Sequence, residues 1–199
     1  MLTFYHAPQS RSFRALWALE ELGIAYEMKL VNIRRADGSG GADETYRDVH
    51  PQLKVPAIVH DGETVIESSA ICLYLSDAFP EAGLGPRVGE PGRAAFVSWL
   101  VFCAASLEPG LSGAFHKWQN MPMVLGSFEE SLRYVERALS SRPYIAGDRF
   151  TAADIMVASA LQFGMNVTKV IPSSPLLAEY LARCTTRPGF QRALAKDRG

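Results

Sequence analysis

Thirteen residues divide this chain. Pro80 to Gly92 read PEAGLGPRVGEPG, with three prolines and four glycines, and all periodicity stops there. Ahead of that break, short strand-like runs alternate with helical ones. Behind it the pattern is helical only. A chain so divided reads as two domains: an α/β domain over residues 1–79, a linker over 80–92, and an all-α domain over 93–199.

The first part has a definite order. LTFY reads as a strand. SRSFRALWALEELG reads as a helix, with Phe13, Leu16, Trp17 and Leu22 at helical spacing and Gly23 placed to cap the C-terminus. YEMKLVNI returns as a strand, so the first ~32 residues form a βαβ unit with parallel strands. The glycine-rich RRADGSGGAD is a loop, and ETYRDV is a short helix. VPAIVHDGETVI is a hairpin turning at Asp61-Gly62. ESSAICLYLSDAF is a helix that Pro80 stops. Beyond the linker, helices are expected from RAAFVSWLVFCAASLEP onward, then at VLGSFEESLRYVERALSS, TAADIMVASALQFGM, SPLLAEYLARCTT and PGFQRALAK. Thr151 and Asp154 have the spacing of a capping box, with Phe150 and Ile155 as its hydrophobic staple.

Composition narrows the function. Nearly half of the 199 residues are apolar, which argues against disorder. A net charge of -1 gives no general attraction to nucleic acid or an acidic membrane. The N-terminus lacks a basic stretch followed by an apolar one, so no secretory signal is expected. No apolar run reaches the ~18 residues of a membrane span. Cys72, Cys103 and Cys184 are far apart in apolar settings and read as buried thiols of a reducing, cytoplasmic compartment. No cysteine or histidine spacing suits zinc, and no metal is expected.

Three stretches have chemical interest. Ser10, Arg11 and Ser12 stand at the mouth of the first helix, where a hydroxyl can cap the helix or meet an anion. Pro56 stands before a strand. It either opens an edge strand in trans or follows a cis bond that turns the Val55 amide and carbonyl outward. Glu67-Ser68 begins the helix after the hairpin. It reads as a plain N-cap or as a seat for an α-amino acid head group, the carboxylate at the helix N-terminus and the ammonium on Glu67.

Together these stretches resemble a known family. S-x-S-x-x-R-A-L-W-x-L-E-E-L-G, then H-P-x-x-K-V-P-A-I, then D-G-x-x-V-I-E-S-S-A-I-x-x-Y-L, then F-T-A-A-D-I in the helical half, are similar to the cytosolic glutathione transferases, in particular the bacterial, theta-like and zeta-like serine type. The resemblance implies a thioredoxin-like N-terminal domain, a helical C-terminal domain and a homodimer. Residues 67–78 and 93–108 would be the contact helices. It implies a cis Pro56, pairing of Val55 with the cysteinyl part of glutathione, and Glu67 and Ser68 on the γ-glutamyl group. Lys54, with Gln52, would face the glycyl carboxylate. Ser10 falls where serine-type relatives contact sulfur, with Ser12 as its rival. Where other relatives keep a cysteine, this chain has Arg11. It departs from the usual G-K-V-P by carrying Leu53, and its loop 34–43 is long.

The chemistry is feasible on this inventory. A free thiol of pKa ≈ 8.5 is a few per cent ionised at neutral pH. Lowering it by ~2 units takes ~2.7 kcal/mol of preference for the thiolate. A hydroxyl hydrogen bond to a charged group contributes ~1.5–3 kcal/mol, and a helix N-terminus ~0.3–1 kcal/mol. Arg11 would add attraction if turned inward. Ser10 is thus expected as a donor to an anion, with no His and Asp pair placed to activate it. Phe102, Ser106, Phe115 and Trp118 are candidates to line a pocket for a small apolar electrophile, or else are core. The expected activity is conjugation of the glutathione thiolate. The alternatives are a non-catalytic binding protein on the same scaffold and a glutathione-dependent isomerase.

Overall fold

The computed structural model describes residues 1–118 and 126–198. They form two compact units. One is Met1–Ala82 joined by the segment from Pro188 onward, and the other is Gly83–Arg187.

Strand β1 (Leu2–His6) lies inside a four-stranded sheet of order β2-β1-β3-β4. It runs parallel to β2 (Glu27–Leu30) and antiparallel to β3 (Ala57–His60), which pairs antiparallel with β4 (Glu63–Ile66). Helix α1 (Phe13–Leu22) makes the right of way between the parallel strands and buries Leu16, Trp17 and Leu19. It ends as its sequence demands: Gly23 sits at φ 67°, and its N–H closes on the Leu19 carbonyl. Asp61 (φ 51°) and Gly62 (φ 91°) take the two left-handed positions of the hairpin turn. A 3-10 turn occupies Glu44–Asp48, and α2 (Ser68–Ala78) follows β4. Strand β2 is shorter than the eight residues expected, and all four of its residues are exposed along the sheet edge.

The helix α8 (Pro188–Arg198) belongs to this first unit, whereas the sequence pattern had grouped it with the other helices. It lies along α1. Phe190 meets Trp17 edge-on at 4.8 Å and Phe13 at 5.5 Å. Arg192 Nε donates to Glu20 at 3.2 Å, and Lys196 donates to the same carboxylate. At Gly189 a Cβ would stand 2.5 Å from the Glu21 carboxyl carbon, so a larger residue there would displace the carboxylate that accepts the Trp17 Nε1 hydrogen.

In the second unit one continuous helix runs Arg93–Phe115: α3 (Arg93–Phe102), a π turn (Cys103–Leu107) and α4 (Glu108–Phe115). This corrects the expectation that no such run exists, since by length and a mean hydropathy of 1.5 it could cross a bilayer. Here Phe96, Leu100, Cys103 and Leu107 are buried inside the helical unit. Helix α5 (Phe128–Leu139) starts with a capping box of Ser127 and Glu130, and α7 (Pro175–Thr185) is capped by Ser174. The start expected for α5 at residues 124–125 lies outside the described residues. Helix α6 (Ala152–Gln162) is almost wholly buried. Its Asp154 accepts the Thr151 N–H at 2.8 Å as the capping pattern requires, and also the Ile145 N–H and the Tyr180 hydroxyl.

Candidate active site

The sheet register brings the three chemically interesting stretches to one end. Tyr5 is opposite Ala57, and Ala57 is opposite Ile66. One step further along each strand come the turn after His6, the Val55-Pro56 pair and Glu67-Ser68. Ala7 and Val55 are buried in one small cluster with Tyr46, which shows that the first two stretches meet.

The turn from Ala7 to Ser12 is tightly bonded. Gln9 takes a left-handed φ of 54°, and its N–H donates to the Asp197 carboxylate. Arg35 donates to the Pro8 carbonyl at 3.0 Å. The half-buried Ser10 hydroxyl donates to the Ala7 carbonyl at 2.7 Å and accepts the Ser12 N–H at 3.1 Å. Ser12 is fully buried, so it cannot itself meet a ligand. Its hydroxyl lies 2.7 Å from Ser10 Oγ and 2.8 Å from His6 Nδ1, and it accepts the Ala7 N–H. Arg11 is exposed.

His6 and Asp197 correct the sequence reading, which found no such pair near Ser10. The buried His6 places Nε2 3.3 Å from Asp197 Oδ1, close enough for charge pairing though off the line of a hydrogen bond. Burial holds the imidazole below its ordinary value, Asp197 opposes that shift and Arg35 adds to it. Nothing local in the sequence signals the pair, because β1 carries one member and α8 the other.

Val55-Pro56 is a cis peptide. Tyr46 donates to the Lys54 carbonyl at 2.9 Å and so ties down the residue before it. The Val55 amide and carbonyl pair with no described residue. Gln52 and Lys54 are exposed. Leu53, where the family pattern has glycine, adopts the left-handed φ of 55° that glycine favours. That costs roughly 1–2 kcal/mol. Its side chain packs on the Ala7, Tyr46 and Val55 cluster, which offsets part of the strain.

Glu67 holds φ 71° and ψ 124° at the N-terminus of α2, a region of the backbone map that L residues rarely visit. Neither its exposed carboxylate nor the buried Ser68 hydroxyl hydrogen-bonds to a described residue.

The pocket candidates of the helical unit separate into two groups. Phe102 meets Tyr134 at 5.1 Å and Trp99 at 5.4 Å, in an aromatic cluster that also stacks Trp99 on Tyr134. Ser106 is half-buried in the π turn. Phe115 and Trp118 are about half exposed and flank His116 at 4.9 and 6.1 Å. A hollow of ≈ 390 Å³ lined by Leu139, Arg142, Leu176, Glu179 and Arg183 contains none of the residues singled out in the sequence. Cys72, Cys103 and Cys184 are buried, and burial pushes the Cys72 thiol up to about 12. Among the described residues no His, Cys, Asp and Glu cluster could hold a metal ion.

Comparison with known proteins agrees with this architecture. Residues 10–78 match the family described as Glutathione S-transferase, N-terminal domain, and residues 94–183 match its C-terminal domain. Protein LigF of Sphingobium sp. (strain NBRC 103272 / SYK-6) is 34% identical over 240 residues, covering 96% of this chain and 91% of that protein. The chain belongs to the glutathione S-transferase family. Glutathione S-transferase GstA of Escherichia coli O157:H7 is 28% identical over 200 residues, 98% of each chain. The transferase superposes on the ternary complex of BphK, a bacterial GST, with a TM-score of 0.80 at 30% identity, covering 98% of both chains. A sphingomonad glutathione S-transferase complexed with glutathione gives 0.79 at 27% identity, again over 98% of both. The fold is the thioredoxin-like α/β domain with a helical C-terminal domain.

Proposed function

We propose that this transferase conjugates glutathione to a small apolar electrophile, with Ser10 donating its hydroxyl to the thiolate. Val55 would pair through its backbone with the cysteinyl residue. Glu67, with the Ser68 hydroxyl and the N-terminus of α2, would take the γ-glutamyl head group, and Lys54 and Gln52 the glycyl carboxylate. The observation that carries this reading is the set of polar groups at one end of the sheet that hydrogen-bond to no described residue: the Val55 amide and carbonyl, the Glu67 carboxylate and the Ser68 hydroxyl. Unpaired backbone groups beside a buried cluster are costly unless a ligand or water meets them. An extended peptide with an amino acid head group supplies the complementary donors and acceptors.

Phe115 and Trp118 offer the apolar surface an electrophile would use, whereas Phe102 is engaged with Trp99 and Tyr134. By family likeness it would be a cytoplasmic homodimer.

A thermal melt with and without glutathione tests the site. Ligand at ~100 times its dissociation constant should stabilise by ~2.7 kcal/mol and raise Tm by a few degrees. No shift at millimolar glutathione would remove the site and leave the non-catalytic reading.

A further inference from the structure

Resting on the reading of Ser10 as the group that meets the glutathione sulfur, we propose that His6 is the terminal acceptor of the thiol proton, reached through Ser10 and Ser12 and steadied by Asp197. The chain of contacts is continuous. Ser10 Oγ lies 2.7 Å from Ser12 Oγ, and Ser12 Oγ lies 2.8 Å from His6 Nδ1. Both steps are short enough for proton transfer between heavy atoms.

The tautomer follows from the surroundings. Asp197 Oδ1 faces Nε2 at 3.3 Å, which favours the neutral ring protonated on Nε2. Nδ1 is then an acceptor. Ser12 accepts the Ala7 N–H, and the Ala7 carbonyl lies 2.7 Å from Ser10 Oγ and 3.1 Å from Ser12 Oγ, so the relay runs when both hydroxyl protons turn from that carbonyl, the Ser10 proton to Ser12 Oγ and the Ser12 proton to Nδ1. With the Ser10 hydroxyl turned to Ser12, the chain is polarised from Ser10 toward His6.

The transfer balances. The S–H bond of glutathione breaks and its electron pair stays on sulfur. The thiol proton goes to Ser10 Oγ, the Ser10 proton to Ser12 Oγ, and the Ser12 proton to Nδ1, where a new N–H bond forms. Each serine ends with one proton, as it began. The product is a thiolate and a His6 imidazolium, the latter paired with Asp197. Every donor in the chain now points toward sulfur, and hydrogen bonds aligned in series strengthen one another. The charged groups facing His6 are Asp197 from α8 and Arg35 from the loop after β2. Arg35 opposes the imidazolium and Asp197 supports it. His6 is a buried positioning group here, since only Ser10 would touch the substrate.

The test uses the full-length protein and His6→Asn, with Asp197→Asn and Ser12→Ala as further variants in case the buried histidine is needed for folding. Ionisation of bound glutathione is followed by thiolate ultraviolet absorbance against pH, and affinity for S-methylglutathione is measured beside it. Calorimetry in buffers of differing ionisation enthalpy counts protons released on glutathione binding. The expected result is a bound-thiol titration moved up by about one unit in each variant. kcat should fall about tenfold near neutral pH and recover as pH rises, with S-methylglutathione affinity unchanged in His6→Asn and Ser12→Ala; Asp197 also tethers Gln9, so Asp197→Asn is read by its thiol titration alone. Wild-type protein should release less than one proton per thiolate formed, because His6 retains it. An unchanged thiol titration in variants that still bind S-methylglutathione overturns the relay alone. Failure of wild-type protein to bind glutathione overturns the underlying reading of the site, and the relay with it.

Discussion

The Gln9 amide donates to Asp197, 3.3 Å from each carboxylate oxygen, so a residue of the last helix holds the turn that carries Ser10. The docking of α8 on α1 therefore shapes the candidate site as well as the core. Phe190 is the hinge of that docking, wedged edge-on against Trp17 and Phe13. Phe190→Ala should cost about 3–5 kcal/mol in denaturant melts. It should also weaken glutathione binding, because the turn loses its tether. A variant as stable as wild type would mean that α8 contributes little.

Ser10→Ala removes the hydroxyl proposed to meet sulfur. Turnover should fall ~10-fold or more, the value of a lost hydrogen bond to a charge. Steady-state kinetics decides: unchanged kcat would end the claim for Ser10, and buried Ser12 could not take its place.

Glu67→Gly should have effects of opposite sign. Glycine adopts φ 71° freely, so the ligand-free protein should gain up to about 1 kcal/mol. The carboxylate is lost, so glutathione affinity should drop about tenfold or more. Thermal melts and binding titrations on the same sample read both. A loss of stability would show that the backbone of Glu67 is not strained.

Asp154 supplies a pH dependence. Burial pushes its carboxyl from the ordinary 3.8 up to about 6, even against four donated hydrogen bonds. A folded-state value above the unfolded one means that the folded protein takes up a proton first as pH falls. The cost of a buried charge present at pH 7 is thus relieved between about 6 and 4. Melting wild type and Asp154→Asn across that range should show the wild type gaining relative to the variant, by at most ~1.4 kcal/mol per unit. A gain of the opposite sign would mean that the four donors outweigh burial.

Local pattern carried much of the fold. The helical spacing of Leu16 and Trp17, Gly23 as a cap, and Asp61-Gly62 as a turn are short-range signals, and each sits in the structure where its chemistry requires. The membership of α8 was not legible. PGFQRALAK is amphipathic, and such a face says only that it needs a partner. That the partner is Trp17 depends on contacts between residues more than 170 positions apart. The same separation hid His6 and Asp197 from each other. Leu53 is a subtler case: the sequence shows a departure from glycine, but only the backbone shows that the left-handed conformation persists with leucine in it. Phe102 and Phe115 share one apolar helical run in the sequence, and side-chain direction past the π turn decides that one meets Tyr134 and the other His116.

Because α8 completes the first unit, the helical unit is an insertion between two pieces of it. The order of synthesis then sets the order of maturation. Gly83–Arg187 is contiguous, and contiguous domains generally fold as units during synthesis. The sheet and α1 emerge earlier but must wait, with the face of Trp17 uncovered, until Phe190 and Asp197 have been made. A chain stalled anywhere in the helical unit would carry the Ser10 turn without its Asp197 tether, so α8 acts as a late lock on an early-made turn.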